Sequence, residues 1–446
     1  MKEHNMWNNP EFKRNLWLEF SFHRLVAAPL LLAILLVVVA MQTDINGNAW
    51  ESVVTAAFIV FLLTCTVWGT SLAIDSVSDE IRNRTWDNQR LSTLSPFKLV
   101  WGKLFGATAF AWYIGLPCLL VIVMARGHVA TSSHFGDTWL MASALLTGTL
   151  LMQSLGLLSA LVGLKANAVA PKAVQLALLF FTLMAFGPLA DISRMTAQSA
   201  WYGLKMPTQQ MMIFSFILFT GWIWLACYRN MQAALQIRIK PWAMVVFVLF
   251  CAFYITGFIE NAQHDMPASV ILMYLTPLLA IVGVYFGAFS EKRDWVSIRR
   301  FFKSWRTGST GYALQDTPYF IALAVFAFFT LIPAIVLTTI TAAEQPGLLL
   351  PVAFVLMLKD VGLLYYFSLS KKPARATVTT LFYLLLIYGL IPALFKNSTV
   401  SLLFNPLSYL LQAEASFYIA FMTALVHLLV VAFLLYKRYK SISQQL

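Results

Sequence analysis

Two adjacent ionisable residues, Lys359 and Asp360, interrupt an otherwise apolar run from Leu348 to Ser370. A charge at the depth of a bilayer core is costly and marks either function or a buried pairing. Neighbouring helical residues do not face one another, so each is expected to find its partner on another segment. His427, within the apolar run Phe417–Tyr436, is one candidate. The residues are compatible with a structural buried pair, a group lining a transport path, or a misplaced segment. Other chemistry is sparse. His128 and His134 share one polar stretch and His264-Asp265 sits in another, a pattern commoner in exposed loops than in metal sites. Cys65, Cys118, Cys227 and Cys251 lie in apolar runs with no CxxC spacing, so they read as small buried residues. No metal site is expected. A phosphate loop of the form G-x-x-x-x-G-K-[ST] is missing, because Gly102-Lys103 lacks the upstream glycine and is followed by Leu104. The chain is therefore expected to have no catalytic residues and to bind no cofactor itself.

Three polar stretches could instead grip a partner or a surface. The most informative runs from Asp75 to Lys103 and contains Glu80, Arg82, Arg84, Thr85, Trp86, Arg90, Leu91, Thr93 and Pro96. A helix between Arg84 and Leu94 puts Leu91 and Leu94 on one face, with Asp87 nearby. It projects Arg82, Arg84 and Arg90 outward and ends at Pro96. Such a helix, parallel to the membrane, offers a handle to a soluble protein; a basic loop held inside by topology alone is the other reading. The stretch Ser290–Tyr319 carries Arg299, Arg300, Lys303 and Arg306 with Trp295 and Trp305. It reads either as a second docking element or as a basic loop touching anionic lipid. Near the N-terminus, Phe12, Leu16 and Phe20 recur on one helical face with Trp17 beside them, and Lys13 and Arg14 lie away from it. That is the pattern of a helix lying in the membrane interface, with Asn9 as N-cap and Pro10 in the first turn.

The elements that position these stretches follow from composition. The chain has 446 residues, 60% hydrophobic and 11% charged. Soluble domains are roughly half apolar and about a quarter charged, which excludes a soluble enzyme and a disordered chain. A span needs about 20 apolar residues, and roughly a dozen such segments are found. They are Leu25–Met41, Ser52–Ile74, Leu104–Met124, Thr138–Leu164, Ala173–Ala190, Met211–Tyr228, Trp242–Ile259, Ser269–Phe289, Phe320–Ala343, Leu348–Ser370, Thr377–Phe395 and Phe417–Tyr436. No cleavable signal is expected, because the first run begins only near Leu25 and is too long for one. With the N-terminus inside, only Arg126, Arg194, Lys205 and Lys396 of the 31 Lys and Arg fall on outside loops, and Lys359 lies within a span. This asymmetry places both termini in the cytoplasm. It also accounts for the net charge of +12 without nucleic acid, since no basic stripe with interleaved aromatics is present.

Long polar connections follow the second and eighth segments, and long outside loops precede the sixth and twelfth. The expected fold is thus an all-α polytopic membrane protein of about twelve spans in two parallel six-helix halves. Its parts are an interfacial helix in 1–24, a first half in 25–228 with the cytoplasmic loop 75–103, and a linker in 229–241. A second half follows in 242–436 with the loop 290–319, then a basic tail in 437–446.

The run Glu80, a basic pair, Thr85, Leu91, Thr93, Pro96 and then Gly102-Lys103 resembles the core motif of type-2 ABC-transporter permeases. Asn9-Pro10 with Arg14 and Glu19, and Tyr228–Gln236 after the sixth span, are also similar to that family. The likeness covers residues 9–110 best and fades beyond about 240. It departs at Arg84, where the family carries glycine, and at Ser95, which intervenes before Pro96. The resemblance implies an exporter permease of a bacterial-type inner membrane, with a coupling helix near Asn83–Leu94 docking on a separate ATPase subunit that holds ATP and magnesium. Two ATPase copies per chain, or a homodimer of chains, both fit. Lipid, glycolipid, peptide and drug cargoes are all compatible with the 15% aromatic content. An ion-coupled secondary transporter of the major-facilitator type also has six plus six spans. That family's Gly-x-x-x-Asp-Arg-x-Gly-Arg-Arg turn and long central loop are not found here.

Overall fold

The computed structural model describes residues 8–44, 49–92, 94–129, 135–165, 198–262, 267–291, 295–308, 314–315, 317–341, 346–370, 375–395, 403–409 and 416–443. Up to 11 of its helices are long and apolar enough to cross a bilayer, counting one bent pair as a single span. The protein is an all-α, multi-pass membrane protein. Each predicted segment overlaps one of these helices except Ala173–Ala190, which lies outside the described residues.

The chain divides into two compact units, Met1–Ser199 with Lys205–Ile239, and Ala200–Leu204 with Lys240–Leu446. In the first unit, α1 (Pro10–Glu19) starts at the Asn9 cap, whose side chain accepts from the Glu11 amide at 3.1 Å. Pro10 occupies the first turn, where its missing N–H costs nothing. Helix α2 (Phe22–Asp44) follows, then α3 (Ala49–Arg82). At 34 residues α3 is about 50 Å long, well beyond the roughly 30 Å hydrocarbon core. The predicted polar loop from Asp75 is therefore helix as far as Arg82. Ile74 and Val77, on one helical face with Ile81 beside them, pack with Leu99, Leu104, Leu157 and Leu161, so the apolar stripe continues past the bilayer.

Helix α3 stops in a Schellman turn. The Arg84 amide donates to Ile81 O at 3.2 Å and the Thr85 amide to Glu80 O at 2.9 Å, with Arg84 left-handed at φ 55°. The predicted helix Arg84–Leu94 contracts to a single turn, α4 (Trp86–Arg90). Pro96 does not end that helix but begins the next, α5 (Pro96–Gly106), for which Ser95 is the N-cap, accepting from the Lys98 amide at 3.4 Å. Helix α5 closes in a π-helical stretch at Gly102–Gly106 and meets α6 (Ala109–Val129) at a bend of 52°. Helix α7 (Phe135–Lys165) packs along α8 (Thr208–Ala234) and against α3. A two-stranded hairpin, β1 (Gln198–Trp201) and β2 (Leu204–Pro207), turns through left-handed Tyr202 and Gly203. Helix α8 runs into the predicted linker as far as Ala234 and ends in a second Schellman turn at left-handed Gln236.

The second unit contains α9 (Trp242–Ala262), α10 (Ala268–Ser290), α11 (Trp295–Arg306), α12 (Tyr319–Thr341), α13 (Pro346–Ser368), α14 (Ala376–Leu394), α15 (Pro406–Tyr409) and α16 (Phe417–Ser443). Helix α10 packs on α9, α12 and α13, and α13 packs on α14 and α16. Val284, Leu323, Met357 and Leu364 are buried between them. The predicted loop 290–319 is in part the helix α11. Helix α14 passes through a π-helical stretch at Leu386–Leu390 and exposes Val378, Phe382, Leu385 and Leu394.

Candidate functional site

A buried polar junction gathers residues from α1, α3, α4 and α5. Lys103 and Glu80 are both buried, and Lys103 Nζ lies 2.7 Å from Glu80 Oε1 and 3.3 Å from Glu11 Oε1. Its third contact is Ser76 O at 3.1 Å, so the ammonium spends all three donors. Gln89 Nε2 donates to Glu80 and to both Glu11 oxygens. Arg14, half exposed, reaches Glu11 Oε2 at 3.2 Å and Glu80 Oε1 at 3.4 Å. Two carboxylates thus face two cations, and the junction is electrically neutral. Burial pushes the Glu11 carboxyl up, but Lys103 and Arg14 outweigh it and hold that carboxyl below the usual range.

Two glycines make this approach possible. A Cβ on Gly102 would stand 2.8 Å from Glu11 Cβ and 2.9 Å from the Phe12 amide nitrogen, and one on Gly106 would stand 2.9 Å from Asn15 Cβ. Asn9 Nδ2 donates to Lys98 O at 2.6 Å and Asn15 Nδ2 to Gly102 O at 3.1 Å. The buried face of α1 is therefore Glu11, Phe12 and Asn15, while Trp17 and Leu18 face outward. Of the expected Phe12–Leu16–Phe20 face, Phe12 is buried, Leu16 is half-buried and Phe20 packs edge-on against Phe110 and Tyr113, while Lys13 and Arg14 are exposed. What the apolar spacing did not show is that Glu11 and Asn15 join the inward face through polar pairing.

The junction carries the single turn α4. Trp86 is buried in the apolar cluster of Ile74, Leu99 and Leu104, and Gln89, three residues on, enters the polar junction. With both anchors inward, Arg84, Thr85, Asp87, Asn88, Arg90 and Leu91 are exposed, Leu91 at 85%. Arg82 is exposed and paired with Asp79 at 3.4 Å; Arg90 pairs with Asp87 at 3.2 Å. The candidate coupling residues thus fall into two sets. Glu80, Trp86 and Lys103 are internal, and Pro96 is a half-buried helix start. Arg82, Arg84, Thr85, Arg90 and Leu91 form an outward face. Thr93 lies outside the described residues. Sequence reasoning missed Glu11, Asn15 and Gln89; the pair Glu11 and Asn15, four residues apart in an otherwise amphipathic helix, was the available signal.

The strain at Arg84 is testable. A non-glycine residue in the left-handed region costs about 1–2 kcal/mol. Arg84→Gly is expected to raise the unfolding midpoint in urea by a fraction of that, and to leave α1 as resistant to protease as in the unaltered chain.

In the second unit, Lys359 and Asp360 are buried in α13, at 3% and 2% exposure, which removes the reading of a misplaced segment. They pair with each other, Nζ to Oδ1 at 2.8 Å, against the expectation from helical geometry. The long lysine chain folds back along its own helix. Partners on other spans complete the cluster: Tyr285 OH of α10 donates to Asp360 Oδ2 at 2.7 Å, and Tyr388 OH of α14 to Asp360 at 3.1 Å. Lys359 Nζ donates to Tyr388 OH at 2.7 Å and lies 4.3 Å from the centre of its ring. Tyr388 sits in the π-helical stretch of α14. His427 of α16 is half-buried and close enough to interact electrostatically with both Lys359 and Asp360, though it makes no hydrogen bond to either. Neither tyrosine was singled out from the sequence, where each is one aromatic among many in apolar runs.

Of the second basic stretch, Arg299 and Arg300 are exposed on α11, and Trp305 is 55% exposed. Among the described residues no group of three or more His, Cys, Asp or Glu could hold a metal, and His134 and His264-Asp265 lie outside them. The fold and these clusters define a polytopic helical membrane protein with a buried polar junction at one end of its first unit and an ion pair inside its second. Comparisons with protein-family models, curated proteins and solved structures find no match to this chain.

Proposed function

We propose that the chain is the transmembrane permease subunit of an ATP-driven ABC exporter in a bacterial-type inner membrane, working with a separate ATPase subunit. The observation that carries this reading is α4. It is an outward-facing turn whose two inward anchors, Trp86 and Gln89, tie it to α1, α3 and α5 at once. A push on Leu91 and Arg90 is delivered to an interfacial helix and two spans through buried contacts. This is how a soluble motor could bias two packings of a membrane domain. The left-handed Arg84 supports the resemblance, because the permease motif has glycine there and a left-handed turn is where glycine belongs. In this reading twelve spans form two six-helix halves, both termini are cytoplasmic, and ATP with magnesium binds two partner ATPases.

The test is co-purification in mild detergent with the candidate ATPase. Arg84→Glu with Arg90→Glu is expected to abolish co-elution and transport while leaving membrane insertion intact. Normal assembly by this variant would reduce the loop to a topology signal. A second reading, an ion-coupled secondary transporter, draws support from the Lys359–Asp360 pair inside the membrane. Transport that follows a proton gradient and ignores ATP would favour it.

A further inference from the structure

Helix α11 lies between two spans, α10 and α12, and so runs at a membrane boundary. Its sequence places Trp295, Ile298, Phe301, Phe302 and Trp305 at helical spacing, with Arg299, Arg300, Lys303 and Arg306 between them and no acidic residue. Phe301 is buried against the unit, and Trp305, packed edge-on to it at 6.1 Å, is exposed. The four cations are exposed, and among the described residues none is paired with a carboxylate. The Arg299 guanidinium lies 5.7 Å from the centre of the Tyr439 ring, which sets α11 beside the end of α16. That end adds Lys437, Arg438 and Lys440, and Arg438 stacks on Tyr366 of α13 at 4.6 Å.

We propose that α11 and the end of α16 form a binding surface for the headgroups of anionic phospholipids. The chemistry matches in three respects. Along α11 and the end of α16 the charge is of one sign, as a layer of anionic phosphodiesters requires. A guanidinium held over a tyrosine face, as Arg299 and Arg438 are, still has in-plane N–H groups to offer to phosphate oxygens. An exposed tryptophan beside the cations belongs at the headgroup level, where an amphipathic ring has both a wet and an apolar side. The turn α4 differs on each count: it mixes Asp87 with Arg90 and presents an exposed leucine, the pattern of a protein contact. The surface stands independently of the permease reading.

The test uses the full chain in mild detergent and native mass spectrometry, with phosphatidylglycerol and phosphatidylcholine as probes. The unaltered protein is expected to retain phosphatidylglycerol in preference to phosphatidylcholine. Loss of Arg299, Arg300, Lys303 and Arg306 to glutamine is expected to weaken that retention by about tenfold or more, since each cation near the surface contributes roughly a fivefold factor. Lys303→Gln with Arg306→Gln, both at exposed positions, should lose an intermediate share and guards against a fold defect in the fourfold variant. Arg82→Gln with Arg90→Gln, whatever it does to a soluble partner, should leave the preference for phosphatidylglycerol unchanged. Equal retention by the fourfold variant, or equal retention of the two lipids by the unaltered chain, overturns the proposal. So does an equal loss in the Arg82 and Arg90 variant, which would reduce the effect to net charge. Intact lipid retention with loss of a soluble ATPase partner would make α11 a protein-docking element instead.

Discussion

Asp360→Asn is expected to lower the thermal stability of the purified protein more than any polar change at its surface. The substitution leaves the Lys359 ammonium buried with the Tyr388 hydroxyl and no counter-charge. Breaking a buried pair in this way costs about 3–5 kcal/mol, because the remaining ion keeps its desolvation penalty and loses its attraction. Tyr285 and Tyr388 each lose a charged acceptor as well, so α10 and α14 loosen from α13 together. The informative control is the double variant Lys359→Met with Asp360→Leu. With both charges replaced by apolar groups of similar size, most of the loss should return, as is typical of buried ion pairs. Thermal unfolding in detergent reads both. Transport then separates the two roles left open by the residues. A structural pair predicts that stabilising the Asp360→Asn chain elsewhere restores transport; a group on the cargo path predicts that it does not. An Asp360→Asn chain as stable and active as the original would contradict both.

Lys103→Met should be comparably severe in the first unit. It removes the buried cation that Glu80 and Glu11 share, leaving two buried carboxylates with the half-exposed Arg14. The expected loss is again about 3–5 kcal/mol, felt where α1 docks on α5. Limited proteolysis should cut within residues 10–20 of the variant and spare the unaltered chain. The response to pH has opposite signs in the two proteins. In the unaltered chain Glu11 is held below its ordinary value, so its contribution is present above about pH 4.3 and is lost as pH falls through the lower folded value. In the variant, burial without the lysine favours the protonated form of Glu11. Mild acid should therefore partly restore α1 rather than release it. Glu80→Gln, which keeps the size and one acceptor, should cost less than Lys103→Met. Equal protease resistance of Lys103→Met and the unaltered chain would mean that Glu11 and Glu80 do not hold α1.

The membrane character was legible because it depends on local composition. Runs such as Thr138–Leu164 and Trp242–Ile259 coincide with the membrane-spanning parts of the helices Phe135–Lys165 and Trp242–Ala262, since in hydrocarbon the backbone has no partner but itself. Helix starts were legible for the same reason: Asn9-Pro10 caps α1 through atoms two residues apart. Ser95-Pro96 carried an equally local signal, but the proline was read as a stop, when its missing N–H suits a first turn better than a last one. The length of α3 beyond Ile74 was not legible. Polar residues there resemble a loop until Lys103, brought in from α5, neutralises Glu80.

The sequence by itself determined that this is a polytopic helical membrane protein, where most of its spans run, and which two stretches, around Glu80 and around Lys359, carry its unusual charges. Only the tertiary structure decided what those charges do. It turned Glu80 and Lys103 inward, gave Gln89 and Glu11 to the same junction, and left Arg84, Arg90 and Leu91 outside. It also closed Lys359 and Asp360 on each other with tyrosines from two further helices. The physical reason is range. Hydrophobic spacing and capping act over a few residues and are written along the chain. A buried charge must be met by whichever opposite group the packing brings within about 3–4 Å, and that group can be ninety residues away.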